Sequence, residues 1–106
     1  MKKTKTNDKK MEMLRVEGEM TIYRAEELKQ MLLAPLEHAA ALEIDLSAVT
    51  ELDTSGLQLL MLAKKTAQAR QAELHLVRHS PAVLEVFELL NLAPYFGDQL
   101  VIQPRA

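Results

Sequence analysis

The sequence contains no cysteine and no tryptophan, and aromatic residues make up only 4% of its 106 positions. The absence of cysteine excludes disulfides and any metal or redox centre that depends on a thiolate. No apolar run approaches the roughly 20 residues that a membrane-spanning helix needs. The N-terminal Lys residues are not followed by an apolar segment, so they do not form a signal peptide. These absences predict a soluble cytoplasmic protein with no direct membrane insertion.

Hydrophobic residues make up 48% of the chain and charged residues 26%, which is typical of one globular domain that folds alone. The formal net charge is −2, yet residues 1–10 carry five Lys and one Asp, so the acidic excess lies in the remainder. We interpret residues 1–10 as a disordered basic tail and residues 11–106 as the folded domain. An acidic body argues against nucleic acid as a partner.

The clearest pattern lies between residues 41 and 62. Apolar and polar residues alternate from Leu42 to Leu46, which is the period of a buried strand. A dense apolar block without β-branched residues follows at 57–62 and predicts a helix. The intervening Asp-Thr-Ser at 53–55 stands where this helix must begin, and such side chains cap helix N-termini.

The rest of the chain completes the order β-β-α-β-α-β-α-β. Two short runs, at 11–16 and 20–23, flank Gly18 and predict a β-hairpin. The other predicted elements are helices at 25–33, 55–71 and 80–91 and strands at 73–79 and 100–102. Strands that alternate with helices predict an α/β fold with a mostly parallel sheet, in which only the first strand is antiparallel.

Asp53, Thr54, Ser55 and Gly56 are the main candidates for a functional site. They lie at the carboxyl end of a predicted strand and the amino end of a helix, where open parallel sheets bind ligands and partners. Helix capping alone explains the same residue types. A phosphate on Ser55 would be tolerated by the positive end of the helix dipole. No phosphate-binding glycine motif is present in the sequence.

A hydrolase is a weaker interpretation of the same residues. Ser55 could act as a nucleophile with Asp53 and His79, but the Gly-x-Ser-x-Gly turn and an obvious oxyanion hole are missing. His75 and His79 fall on one face of a strand without a third ligand at motif spacing, so we predict packing or surface roles and no metal or cofactor.

The adjacent Tyr95 and Phe96 form the one aromatic pair in the sequence. We interpret them as packing of the last connection against the sheet. A patch that contacts a partner is the alternative.

Three stretches resemble the STAS domain family, the fold of sulfate-transporter and anti-sigma-factor-antagonist domains. The segment at 44–57 is similar to the family signature, in which a strand leads into Asp-Ser/Thr-Ser-Gly and a helix. Residues 18–21, Gly-Glu-Met-Thr, resemble the Gly-Glu-Leu hairpin of the family, and residues 80–92 resemble its third helix. The resemblance covers roughly residues 13–102, and the order of predicted elements agrees with it.

The resemblance implies a phosphorylation-controlled protein-binding module and not an enzyme. In anti-sigma-factor antagonists a partner protein kinase phosphorylates the second hydroxyl of the motif, which is Ser55 here. The unmodified domain binds its partner, the phosphorylated domain releases it, and a phosphatase resets the switch. The resemblance assigns Asp53 and Thr54 to the motif that supports phosphotransfer, and implies that Gly56 lets the partner backbone approach.

The resemblance also indicates partner-contact residues and a second function. Thr21 stands where these antagonists often carry an acid, and Leu57 and Gln58 are the next candidates for contact. Small stand-alone bacterial relatives occur beside chemotaxis proteins and in lipid-transport complexes. The alternative is therefore a constitutive STAS subunit of a membrane-associated complex that docks without phosphorylation.

Overall fold

A central strand with a parallel neighbour on each side forms the sheet in the computed structural model, which describes residues 11–97. The strands are β1 (Met11–Met20), β2 (Ala41–Leu52) and β3 (Glu73–Val77), in the spatial order β1-β2-β3. Both pairings are parallel. The predicted α/β fold with a mostly parallel sheet is therefore confirmed.

Within residues 11–97, four α-helices connect and cover these strands: α1 (Ala25–Leu33), α2 (Thr54–Ala69), α3 (Pro81–Leu90) and α4 (Ala93–Phe96). Three of them were predicted to within two residues. The short α4 was not predicted, nor were the 3-10 turns at Ile22–Arg24 and Ala34–Glu37. The second of these turns begins directly after α1 and contains Pro35, which cannot continue the helix.

The predicted hairpin near the start of the chain is wrong. β1 runs unbroken from Met11 to Met20 and pairs in parallel with β2, so within residues 11–97 the expected antiparallel strand is not found. The glycine marks an irregularity in the strand, because the register shifts on either side of it. At each shift the extra residue belongs to β2, because one β2 residue is skipped between successive partners of β1. Gly18 itself has a φ of 84°, a left-handed conformation that glycine adopts readily. The strand is therefore bent there and not reversed.

The third strand is shorter than predicted. It ends at Val77, because Arg78 has a φ of 55° and leaves the extended conformation. The predicted strand at 100–102 and the predicted tail at 1–10 lie outside the described residues.

An aliphatic core lies between the sheet and the helices. Leu42, Ile44 and Leu46 of β2 are fully buried, while the alternating Glu43 and Asp45 remain partly exposed. The helices contribute a set of buried apolar side chains: Leu28, Leu32, Leu57, Leu60, Ala63, Ala67, Val83 and Phe87. Burying one large apolar side chain stabilises the fold by about 1.5 to 3 kcal/mol. The core thus fixes the position of β2 and of the helix that follows it.

A side-chain cap sets the start of α3. The Ser80 hydroxyl accepts a hydrogen bond from the Val83 amide at 3.2 Å, and Pro81 occupies the first helical position. Asn91 ends the helix with a left-handed φ of 55°.

Candidate functional site

The candidate site lies where β2 gives way to α2. Asp53 is the N-cap residue, and Thr54 and Ser55 are the first two residues of the helix. Thr54 is exposed and Ser55 is partly exposed, so neither residue is sealed beneath its neighbours. The sequence therefore located the candidate hydroxyl correctly: it lies at the carboxyl edge of the central strand and in the first turn of the next helix.

The Asp53 carboxylate joins two segments that are distant in sequence. Its Oδ1 accepts a hydrogen bond from the Gly56 amide at 2.9 Å, and its Oδ2 accepts one from the Ile22 amide at 3.0 Å. The Asp53 amide also donates to the Met20 carbonyl oxygen at 3.2 Å. Asp53 thus fixes the start of α2 against the turn that follows β1.

These hydrogen bonds also set the charge of Asp53. The Gly56 amide is the main cause that lowers the pKa of the carboxyl, burial opposes it, and the Ile22 amide lowers it further. The carboxylate is therefore ionised at neutral pH. Because both its oxygens accept bonds from backbone amides, its structural role is to orient the helix that carries Ser55.

We expect Asp53→Asn to reduce the loss of stability at acidic pH. The folded pKa of Asp53 is lowered, so its stabilising effect is complete above the ordinary value of 3.8 and disappears as the pH falls through the lower folded pKa. Asparagine keeps one acceptor oxygen, for the Gly56 amide, loses the acceptor for the Ile22 amide, and does not titrate. Urea unfolding between pH 7 and pH 2 should show a shallower acid-side decline in the variant, and equal declines would contradict this assignment.

Gly56 is required by the packing of the chain on itself. The residue is buried, and a Cβ built on it would lie 2.1 Å from the Met20 carbonyl oxygen and 2.8 Å from the Met20 carbonyl carbon. The end of β1 therefore packs directly on the first turn of α2. The contact that excludes a side chain is internal, so the fold alone requires this glycine. Approach of a partner backbone to Gly56 stays a prediction.

Arg24 supports the same region, and sequence reasoning missed it. Its Nη1 donates hydrogen bonds to the carbonyl oxygens of Glu17 and Glu19, each at 2.7 Å, and its Nη2 lies 3.3 Å from a carboxylate oxygen of Glu27. It thereby holds the bent end of β1 on both sides of Gly18. The only sequence signal was the Arg-Glu spacing of three residues at 24 and 27, which is common on helices.

The three predicted contact residues have different environments. Thr21 is buried, and its hydroxyl donates to a Glu19 carboxylate oxygen at 2.9 Å. Leu57 is also buried, with 8% of its surface exposed, and it belongs to the core. Gln58 is exposed. A direct contact with a large partner surface is therefore open to Gln58, whereas Thr21 and Leu57 support the site from within.

An exposed apolar pair lies beside the site instead. Ile22 is 59% exposed and Tyr23 is 87% exposed, and both belong to the 3-10 turn whose amide binds Asp53. Their side-chain types predicted a strand and hence a structural role. The turn replaces that strand and presents both side chains to solvent.

The remaining candidates have ordinary packing roles. The ring of His79 meets Phe87 edge-on at 5.2 Å, and His75 lies 3.0 Å from a Glu73 carboxylate oxygen. Phe96 is buried and stacks on Phe87 at 5.3 Å, which fits the packing interpretation of the aromatic pair.

Residues 11–97 contain neither a cluster of metal-ligating side chains nor a membrane-spanning helix. No group of three or more His, Asp or Glu side chains there is arranged to hold a metal ion. None of the helices in that range is long and apolar enough to cross a membrane.

Comparison with known families agrees with this fold. The family model described as "Mlab, STAS domain" matches residues 4–101, which is nearly the whole chain. The protein therefore belongs to the STAS domain family.

Individual relatives refine the comparison. The anti-sigma-B factor antagonist of Listeria monocytogenes is 33% identical over 79 residues, which cover 74% of this chain and 69% of that protein. The high affinity sulfate transporter 2 of Stylosanthes hamata is 34% identical over 58 residues. That match covers 55% of this chain but only 9% of the transporter.

Solved structures show the same fold. An anti-sigma factor antagonist from Mycobacterium paratuberculosis superimposes with a TM-score of 0.69 and 26% identity, over 92% of this chain and 83% of that one. The Bacillus cell fate determinant SpoIIAA in its phosphorylated form gives a TM-score of 0.61 at 19% identity, over 83% of this chain and 82% of that one. The first of these, with the Listeria relative, supports an antagonist-type STAS module.

Proposed function

We propose that this protein is a phosphorylation-controlled protein-binding module in which Ser55 accepts the phosphate. The position of Ser55 is the observation that carries the proposal. It is a partly exposed hydroxyl residue in the first turn of α2, held in place by the Asp53 hydrogen bonds to Gly56 and Ile22. A partner at this edge of the sheet can reach it.

The partners follow from the antagonist relatives. We propose an anti-sigma-type protein kinase that binds the unmodified domain and phosphorylates it, and a phosphatase that restores the free hydroxyl. The domain itself is not an enzyme in this scheme, and it acts in the cytoplasm. The acidic composition of the chain beyond residues 1–10 disfavours nucleic acid as a partner.

The size of the switch limits how it can work. Changing an affinity by about 100- to 1000-fold requires roughly 2.7 to 4.1 kcal/mol. A phosphate at the N-terminus of a helix is stabilised by at most about 2 kcal/mol through the dipole, and less at a solvated site. The larger contribution must come from a phosphate of about −1.5 to −2 charge that cannot keep its water in the docked complex. Ser55 must therefore lie within the interface.

Phosphate mapping tests the proposal directly. The purified protein is incubated with ATP and an extract of the cells that make it, and the modified residue is located by mass spectrometry. We expect one phosphate on Ser55 in the wild type and in Thr54→Ala, and none in Ser55→Ala. A phosphate that stays in Ser55→Ala, or one located on Thr54 in the wild type, would overturn the assignment of the acceptor.

A constitutive subunit of a membrane-associated complex, such as a lipid-transport assembly, is the second candidate. The description "Mlab, STAS domain" of the matching family model favours it, because that name differs from those of the antagonists. In that case the extract adds no phosphate to Ser55, and the protein stays bound to its complex whether or not ATP is present. The same mapping experiment therefore separates the two functions.

A further inference from the structure

We propose that Ile22 and Tyr23 form the apolar anchor of the docking surface beside Ser55. The occupant is a protein that offers an apolar pocket bordered by Lys or Arg side chains. This inference rests on the proposed function, because it assigns the partner surface of the same site.

The two side chains of the anchor are large and largely apolar, yet both are exposed to solvent. Tyr23 is 87% exposed and Ile22 is 59% exposed, and they are neighbours in one short turn. Tyrosine is among the residues that most often dominate binding energy at protein interfaces, because it buries a large ring and keeps a polar tip. An adjacent pair of this kind is suited to fill a pocket.

The anchor is also held in position before any partner arrives. The Ile22 amide donates to Asp53, and the Arg24 amide closes the turn on the Thr21 carbonyl oxygen at 2.9 Å. The Arg24 side chain fixes the strand end that leads into this turn. A preorganised segment loses less conformational freedom on binding, and affinity rises accordingly.

The anchor and the phospho-acceptor belong to one continuous surface. The Asp53 carboxylate binds the amide of Ile22 with one oxygen and the amide of Gly56, next to Ser55, with the other. Thr54 and Gln58 are exposed on the same helical turns. A partner that encloses Tyr23 therefore also lies against the first turn of α2.

The charges around the anchor indicate the sign of the charge on the partner's surface. Glu19 and Glu51 are register neighbours on β1 and β2, and Glu26 and Glu27 follow the turn in the first turn of α1. Of these four, Glu19 is partly exposed and the others are exposed. Arg24 pairs with Glu27 and also binds two carbonyl oxygens, so these two charges offset each other. The net acidic charge of the rim therefore comes from Glu19, Glu26 and Glu51. This acidic rim attracts a basic protein surface and repels nucleic acid and anionic lipid.

The same arrangement explains release by phosphate. Rim charges stay solvated, so each pair contributes about 1 kcal/mol or less and acts mainly on the association rate. A phosphate on Ser55 lies beside the apolar anchor, at the centre of the contact. In this arrangement the Lys and Arg side chains of the partner face the rim glutamates and not Ser55. The phosphate therefore loses its water without a cation placed to replace it. The binding and the release therefore use one surface.

Site-specific crosslinking tests the surface. p-Benzoylphenylalanine is incorporated in place of Tyr23 or Gln58, and in place of Tyr95, the other exposed tyrosine, as the matched control. After irradiation in a cell extract, we expect a protein adduct at positions 23 and 58 and none at 95. The crosslinked peptide of the partner should carry apolar residues and Lys or Arg. No adduct at 23, an equal adduct at 95, an acidic partner surface, or a nucleic acid or lipid adduct would overturn the proposal.

The partner identified by crosslinking is then purified, and its affinity for variants of this protein completes the test. We expect Tyr23→Ala to weaken binding by at least about 30-fold, and Tyr95→Ala to change it less than about twofold, as expected away from a hot spot. Tyr23 is 87% exposed, so Tyr23→Ala should unfold at the wild-type urea midpoint. Wild-type affinity in Tyr23→Ala overturns the anchor. If Ser55→Asp still weakens binding in that case, the proposed function survives; if only Tyr23→Ala weakens it, the surface survives and the phosphate switch fails.

Discussion

Replacing Gly56 with alanine lowers the free energy of unfolding by about 3 kcal/mol or more, at the upper end of the range for overpacked sites. The added Cβ would lie 2.1 Å from the Met20 carbonyl oxygen, a distance that real contacts do not reach. That oxygen cannot move away freely, because it accepts the hydrogen bond of the Asp53 amide. Alanine is favoured over glycine in a helix by about 1 kcal/mol, so packing and propensity predict opposite signs.

Urea denaturation measures this effect, with Gln58→Ala as the matched control. Gln58 is exposed on the same helix two residues later, so its replacement should change stability by less than about 0.5 kcal/mol. A Gly56→Ala protein as stable as the wild type would contradict the described contact between β1 and α2. The functional consequence is equally specific, because moving α2 away from Met20 also pulls Asp53 from the Ile22 amide and displaces Ser55.

Ser55→Asp weakens binding of the protein partner by roughly 10- to 30-fold, which corresponds to about 1.4 to 2 kcal/mol. The expected loss of binding free energy is about half of that caused by phosphorylation, because a carboxylate carries about half the charge of a phosphate. The charge enters the contact at the first turn of α2, where it loses hydration on docking. Isothermal titration of the purified partner measures it.

Two further variants isolate the charge. Ser55→Asn has nearly the size of Ser55→Asp without its charge, so it should lose much less affinity. Ser55→Ala should bind like the wild type and stay bound when the kinase and ATP are added. If the aspartate and asparagine variants bind equally, size and not charge controls the interface.

Local chemistry explains why the centre of the site was predictable. The alternation from Leu42 to Leu46 and the capping residue Asp53 act over a few positions, and the structure confirms both the strand and the helix start. The caps at Ser80 and Asn91 were predictable for the same reason. Each of these features depends on neighbours in sequence.

The features that were mispredicted depend on distant contacts. Gly18 is compatible with a turn and with a bulge, and only the parallel pairing of β1 with β2 decides between them. Ile22 and Tyr23 are good strand formers, yet the bond from the Ile22 amide to Asp53, 31 positions later, belongs to a 3-10 turn. Arg24 carries no motif, because the carbonyl groups that it binds become close only when the strand bends.

Burial divides the predicted contact residues in a way that the sequence could not show. Leu57 follows Ser55 by two positions, and the rotation of α2 on the sheet decides which of its faces is covered. Thr21 is hidden because Glu19 accepts its hydroxyl hydrogen bond. The exposed candidates for partner contact are therefore Gln58 and the turn at Ile22–Arg24. The sequence pattern predicted a strand at that turn and so gave no sign of its exposure.

The affinity of the partner for protein that carries one phosphoserine at position 55 tests the central claim most directly. The phosphorylated and unmodified proteins are titrated with the same purified partner at the same ionic strength, after mass spectrometry has confirmed a single phosphate. The account predicts that the phosphate weakens binding by about 100- to 1000-fold. Equal affinities, or tighter binding of the phosphorylated protein, would contradict it.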